Sequence, residues 1–383
     1  MRGSTMRVAF VLGALLFAGS TGCAGVQQAG GSGVEEAESP PERQVDLAPT
    51  IVSAGEGGGE VVHTKEAFER AHSAFEESRY EEAVRGYRRI VRHASGSRFF
   101  RPALYNMGLA AEKLERWEVA RRAYRRTIEE FPGGEATNDA FFRLAGVLAE
   151  EGESVEAAGM LGQVLLRDGL EPYERVEANV RRGERLREAG RLEDAKNAFR
   201  NAMSVREKSP DAVGLAADSA LVVRANLGLG RVQHAEMAQI ELTLPVENMG
   251  EQLESKSEKL LFAQHSYLEA VRAHHAKWSV AAGYQLGQLF EDFYCGVHSA
   301  EYPDHLTDDQ RAIYFTELRK RIRPVLERAV GVYERNLDLS RRLEKSGGSE
   351  EAARWRRKTR ERLERVRRML EKPQTLSRAT GSK

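Results

Sequence analysis

The chain has 383 residues, with Lys+Arg and Asp+Glu both at 58, so it is formally neutral. That balance argues against nucleic acid as a principal ligand, which needs a sustained basic surface. Charged residues make up 30% and aromatics 7%, and strand signals are nearly absent, which points to exposed helices rather than a sheet.

Residues 1–22 read as an export signal. Arg2 and Arg7 give a positive start, and Val8 to Ala18 is an apolar run too short to span a bilayer as a helix. Ser20-Thr21-Gly22-Cys23 follows at once. Small residues ending in cysteine resemble the lipobox of bacterial lipoproteins. The resemblance implies lipidation of Cys23 and removal of everything before it, although Ser20 stands where that family prefers leucine. The rival fate is an ordinary secretory cut near Ala24 that discards Cys23. Ala24, with no aspartate after the cysteine, implies forwarding to the outer membrane. The expected location is the periplasmic face of the bacterial outer membrane, held there by the lipid.

Residues 23–62 carry GGSG, SPPER and EGGGE and no aromatic residue. Such a composition buries too little apolar surface to offset its ordering entropy, so it reads as a tether with an end-to-end distance on the order of 35 Å.

From residue 63 a period emerges. Ala83 and Tyr87, Ala120 and Tyr124, Ala157 and Leu161, and Ala195 and Phe199 are each four residues apart, and the alanines step by 37, 37 and 38. Residues 102–133 are the cleanest unit. Leu104, Met107, Gly108 and Ala111 share one helix face; after a turn at Glu115-Arg116, Ala120, Tyr124 and Ile128 form the inward stripe of a second helix, and Pro132 closes the unit. These residues resemble the tetratricopeptide repeat, a helix-pair unit stacked into a solenoid. The expected fold is all-α, a solenoid of antiparallel helix hairpins, with four repeats over 63–210.

Beyond residue 210 the phase slips, and residues 211–346 read as two degenerate repeats with stretched helices. A long helix from about Asp211 to Leu242 is broken by Pro245 and Gly250. Ala263, Tyr267 and Ala270 then mark a second helix, Leu286, Gly287 and Phe290 a first helix, and Ala329 and Tyr333 its partner, which starts at a Thr307–Gln310 capping box.

Residues 347–372 form a basic amphipathic helix. Trp355, Leu363, Val366 and Leu370 make its apolar stripe, with Thr359 in a gap. Arg356, Arg357, Lys358, Arg360, Arg365, Arg367 and Arg368 make a cationic face. Two uses are open, a cap on the last repeat or a surface for anionic lipid or an acidic partner. Residues 373–383 read as a disordered tail.

No sequence motif carries chemistry. Cys295-x-x-His298 with His305 reads as a helix end with surface histidines, and Cys295 as a small core residue. Gly228-Leu-Gly230 lies in a helix and follows no strand, so it is no dinucleotide fingerprint. No segment has the length for an added cell-wall-cleaving domain, and a cell-wall enzyme is the remote alternative. The expectation is no enzyme, no cofactor, no metal and no small-molecule substrate.

The family resemblance places a docking groove on the first helices. Carried over, it gives Phe68, His72 and Phe75, then Tyr105, Leu109 and Glu112, then Asp139 and Phe142, and finally Val180, Glu184 and Arg187. Phe68 and Phe75 are equally readable as core of the first repeat. The implied partner is an envelope protein presenting a peptide or helix. The whole resembles tetratricopeptide lipoproteins of outer-membrane assembly and of gliding-motility complexes. Trp278 before Tyr284-Gln-Leu-Gly287 fits the second group better.

Overall fold

A computed structural model describes residues 64–371, apart from 213, 217–218, 276 and 346–349. The export signal, Cys23, the tether and the 373–383 tail lie outside the described residues. Among those described there are helices and no strand. The chain divides into two compact units at Asp168–Gly169, and each is described by itself.

The first unit holds three hairpins: α1 (Thr64–Glu76) with α2 (Tyr80–His93), α3 (Phe100–Lys113) with α4 (Trp117–Glu130), and α5 (Glu135–Glu150) with α6 (Ser154–Leu165). The second opens with the hairpin of α7 (Pro172–Glu188) and α8 (Leu192–Lys208).

All four hairpins turn in the same way. Ser78, Glu115, Gly152 and Gly190 have φ of 59°, 54°, 85° and 74°. The next amide reaches back five residues in each: Arg79 N to Ala74 O at 2.7 Å, Arg116 N to Ala111 O at 2.9 Å, Glu153 N to Leu148 O and Arg191 N to Leu186 O, both at 2.8 Å. This is the Schellman end, in which a left-handed residue lets two amides satisfy helix carbonyls that would otherwise be orphaned. Two turns use glycine, and two force Ser78 and Glu115 into that region, at about 1 kcal/mol each.

The second helix of each hairpin buries small residues and one bulky one: Tyr87, Tyr124, Leu161 or Phe199. On α4 the inward set is Ala120, Ala123, Tyr124 and Thr127. Ile128, expected in that stripe, is only half-buried. Eight residues beyond Ala120 the 3.6-residue period has rotated past the face, and Thr127 takes the position with its hydroxyl donating to Ala123 O at 2.9 Å. The first helix makes room for the aromatic ring with glycine. A Cβ added at Gly108 would stand 2.6 Å from the Tyr124 ring, and one at Gly183 would stand 2.8 Å from Phe199.

The second unit continues with α9 (Ala220–Gln239), α10 (Val246–Arg272), α11 (Trp278–His298), α12 (Asp308–Lys345) and α13 (Glu350–Glu371). Here the sequence reading needs two corrections. The helix expected from about Asp211 to Leu242 spans only Ala220–Gln239. Gly250 does not break a helix; it lies inside α10, whose N-cap is Pro245. A glycine with solvent beside it is tolerated in a helix at modest cost. The Thr307–Gln310 box is formed, with Gln310 N donating to Thr307 Oγ1 at 3.3 Å and Thr307 N donating to Gln310 Oε1 at 2.9 Å.

The glycine–aromatic contact recurs despite the irregular lengths. Gly230 on α9 faces Tyr267 on α10, and Gly287 on α11 faces Tyr333 on α12, with added Cβ atoms 2.5 and 2.3 Å from those rings. Leu363 and Val366 of α13 join the same buried cluster as Leu289, Phe290, Leu326 and Tyr333. Thr359, wholly buried, accepts from Asn336 Nδ2 at 3.1 Å.

Candidate docking surfaces

In the first unit the groove positions divide between core and surface. Phe75 is buried and meets Tyr80 edge-on at 5.5 Å. Phe68 is half-buried, 5.3 Å from the Phe99 ring and 5.7 Å from Tyr87, which makes it a wall of the first hairpin's core. Leu109 and Phe142 are buried as well. Tyr105 is the half-exposed aromatic of the set. Its ring lies 5.7 Å from Tyr124, and its hydroxyl donates to Asp139 Oδ2 on α5. Beside it Arg143 of α5 reaches Glu112 Oε2 of α3 at 3.5 Å. The surface offered by α3 and α5 is therefore one aromatic edge set in paired charges, not a row of aromatics. Beneath it the Tyr124 hydroxyl and Glu112 Oε1 are buried without a hydrogen-bond partner among the described residues. Burial pushes the Tyr124 hydroxyl well above its ordinary pKa, aided by the Glu112 charge.

In the second unit Val180, carried over as a groove residue, has no exposed surface. It belongs to the core of its hairpin, and the half-exposed positions around it are charged. Glu177 pairs with Arg181 at 2.5 Å. Glu184 receives a two-pronged contact from Arg224 of α9, Nε to Oε1 at 3.0 Å and Nη2 to Oε2 at 2.6 Å. On α9 and α11, His234 Nε2 stands 3.0 Å from Asp292 Oδ2, and its Nδ1 is 3.4 Å from the Tyr267 hydroxyl.

The cationic face of α13 is largely turned to account within the unit. Arg362 and Arg365 both reach Glu291 Oε1, at 3.0 and 3.2 Å. The Glu291 side chain is 1% exposed, and its other oxygen accepts from the Tyr333 hydroxyl at 3.2 Å. Arg356 pairs with Glu344, and Arg367 with Glu334 at 2.7 Å. The Lys358 ammonium lies over the Trp355 ring at 4.6 Å. Of the seven cations offered as an anionic-ligand surface, Arg357, Arg360 and Arg368 remain as outward charge.

Several polar groups escaped the sequence reading. Lys256 is buried, and its ammonium donates to Met237 O at 2.8 Å and Ile240 O at 2.9 Å, closing the last turn of α9. Burial holds its pKa below the ordinary lysine value. Glu236 takes Lys196 at 3.0 Å and Lys259 at 2.6 Å, tying α8, α9 and α10 together. Burial alone would raise its carboxyl, but the hydrogen bonds from Lys259 and Lys196 hold it below the usual range. The only sequence signal for these groups is a charged residue in an apolar helical stripe.

Cys295 is half-buried, and burial pushes its thiol up, away from thiolate chemistry. Among the described residues no cluster of three His, Cys, Asp or Glu is arranged to hold a metal ion. Nor is any described helix long and apolar enough to cross a membrane.

The chain is similar in fold to a tetratricopeptide repeat protein from Parabacteroides merdae, at 13% identity, 78% of this chain, 98% of that one and a TM-score of 0.38. It is similar to the C-terminal part of a TPR repeat-containing protein from Cytophaga hutchinsonii, at 10% identity, 79% and 96% coverage and a TM-score of 0.42. It is also similar to MamA from Desulfovibrio magneticus, at 16% identity, 53% and 96% coverage and a TM-score of 0.35. Likenesses this distant carry no functional argument. No curated protein sequence matches the chain. The tetratricopeptide-repeat family profile matches residues 68–135 and 105–170. The three identically turned hairpins in that span and the Gly108–Tyr124 contact agree with the match, so residues 68–170 have a TPR-like repeat fold in an all-α chain.

Proposed function

We propose that the chain is a lipid-anchored scaffold that binds protein partners in a bacterial envelope complex, of the gliding-motility or outer-membrane-assembly kind. The observation that carries this is the surface of α3 and α5. There half-exposed Tyr105, held by Asp139 and flanked by the Arg143–Glu112 pair, lies on the first helices of matched tetratricopeptide repeats. Such repeats generally serve as non-enzymatic platforms for protein association, and the first helices are their docking side. An aromatic edge with charges of both signs suits an extended peptide or a partner helix. Cys23 after its apolar run supports the lipid anchor, and the Gly/Pro/Glu tether would let the repeats search for a partner.

A membrane-surface role through α13 is the second reading. It is weakened because Arg356, Arg365 and Arg367 are paired with carboxylates of α11 and α12.

Two measurements test the proposal. Cells fed a labelled fatty acid should incorporate it into the full chain and not into a Cys23→Ser variant. Crosslinking in intact cells should recover envelope proteins, and a Tyr105→Ala, Arg143→Ala double variant should lose them at least tenfold. Full crosslinking by that double variant would overturn the docking assignment.

A further inference from the structure

The outer face of α10 sets two large apolar side chains next to each other in solvent. Leu261 is 45% exposed and Phe262 60%, and both lie near the middle of this 27-residue helix. Val155, Leu166, Leu244 and Ile313, exposed elsewhere, have no such neighbour in the chain, which is ordinary for a surface. On the same face Glu247, Glu251, Glu254 and Glu258 precede the pair, and His265, Glu269 and Arg272 follow it. At 3.6 residues per turn all of them lie within about 60° of one line along the helix. The opposite face holds the buried Met249, Leu253, Leu260, Ala263, Tyr267 and Ala270, so the hairpin's own core is served by the other side of α10.

The two ends of this stripe differ in charge. Glu247, Glu251, Glu254 and Glu258 are exposed and form no ion pair among the described residues. Their spacing of three and four residues puts like charges beside one another, which disfavours the helix on its own. Beyond the apolar pair His265 is exposed, and Arg272 holds Glu269 at 2.7 Å. An anionic membrane would be repelled by the acidic end. A second copy of α10 laid parallel would set acid on acid. Laid antiparallel about Leu261 and Phe262, it places Glu258 opposite His265 and Glu251 opposite Arg272. Glu254 then faces Glu269, whose charge Arg272 already offsets. Each of these contacts occurs twice, as in any interface closed by a two-fold axis.

We propose that the outer face of α10 is a homodimer interface, on which α10 of a second copy lies antiparallel and the Leu261 and Phe262 side chains of the two copies meet at the axis. Helix axes about 8–10 Å apart bring such side chains into contact. The apolar pair is the dry centre and the charges are its rim, an arrangement that concentrates binding energy in a few central residues. The rim selects the antiparallel orientation and adds little strength. A single helix pair buries an area at the small end of specific interfaces, about 1,200 Å² or less, so the dimer exchanges with monomer. Tyr105, Asp139 and Arg143 take no part, and the dimer stands or falls apart from the scaffold reading.

The test follows the full chain, purified in detergent, by sedimentation velocity over a dilution series. The native chain should pass from monomer to dimer as its concentration rises. Leu261→Gln with Phe262→Gln should raise the dissociation constant at least tenfold. Ile313→Gln, at a position 65% exposed on α12, should leave it unchanged. Unaltered thermal melting establishes that the variants are folded. Oxidation of added cysteines reads the orientation, with the chain lacking them as background. Glu258→Cys with His265→Cys should yield disulfide-linked dimers, because the two positions stand about 10 Å apart on one helix and cannot bridge within a chain. Glu258→Cys alone should yield none; a dimer linked through it means parallel helices and overturns the proposal. A chain that stays monomeric up to about 100 μM, or a dimer indifferent to the glutamine substitutions, overturns the interface. Capture of a different protein by a photo-crosslinker at position 262, with no copy-to-copy product, overturns the second copy as occupant. Loss of the dimer in the Tyr105→Ala, Arg143→Ala variant would place the contact on the first unit and overturn α10.

Discussion

Replacing Arg362 and Arg365 together by methionine is expected to destabilise the second unit by about 3 kcal/mol, the low end for stranding a buried charge, because Arg365 is half-exposed and water partly screens it. The reason lies on α11 rather than α13. Glu291 is 1% exposed, and three groups satisfy it: the two guanidiniums and the Tyr333 hydroxyl. With the arginines gone, one hydroxyl is left to hold a carboxylate in a nearly closed site. Methionine keeps much of the aliphatic volume of each arginine stem, so the loss reports charge and not packing. Adding Glu291→Leu to the same chain should recover most of the loss, because apolar groups of similar volume often replace a buried ion pair at no cost. Urea unfolding of the native chain and the two variants reads the result. A drop below about 1 kcal/mol, or no recovery with Glu291→Leu, would show that α13 is held by its apolar stripe alone.

That prediction also marks where sequence reading ends. The basic face of α13 is plain from periodicity, but its purpose depends on Glu291, which is 71 residues from Arg362 in the chain. Nothing local distinguishes an arginine aimed at a membrane from one aimed at a buried acid. The same limit governs the docking residues. A repeat pattern says which helix faces which way to within a residue or two, yet Leu109, Phe142 and Val180 are buried while Tyr105 is half-exposed. Exposure at such positions is set by the side chains of the neighbouring hairpin. By contrast, the hairpins up to Lys208 were legible because their geometry is locked. The left-handed turn residues at 78, 115, 152 and 190 recur at the spacing of the buried alanines, 37, 37 and 38 residues. Beyond them the period dissolves for a physical reason. Gly108 and Tyr124, like Gly183 and Phe199, are 16 residues apart, whereas Gly230 and Tyr267 are 37 apart and Gly287 and Tyr333 are 46 apart. The longer helices α10 and α12 preserve the contact and erase the interval.

If that contact defines the hairpin, Gly230→Ala should change sign with its partner. In the native chain the new methyl would stand 2.5 Å from the Tyr267 ring, which is fully buried and has no room to retreat. Overpacking of this kind costs about 1–3 kcal/mol, against a gain of about 1 kcal/mol for alanine over glycine in a helix. The net expectation is a loss of up to about 2 kcal/mol. Tyr267→Ala alone removes the ring and its hydroxyl beside His234, at about 3–5 kcal/mol. In that background the methyl at position 230 enters vacated space, so Gly230→Ala should stabilise by up to about 1 kcal/mol. Gly250, inside α10 with no atom within 4 Å of an added Cβ, is the control: alanine there should stabilise in both backgrounds. Denaturant midpoints of the single and double variants decide the matter. Gly230→Ala with the same sign in both backgrounds would mean that ring and glycine are neighbours by coincidence. The lengthened C-terminal hairpins would then need another explanation for their register, since it is this close approach that seats the second helix against the first where the repeat interval has been lost.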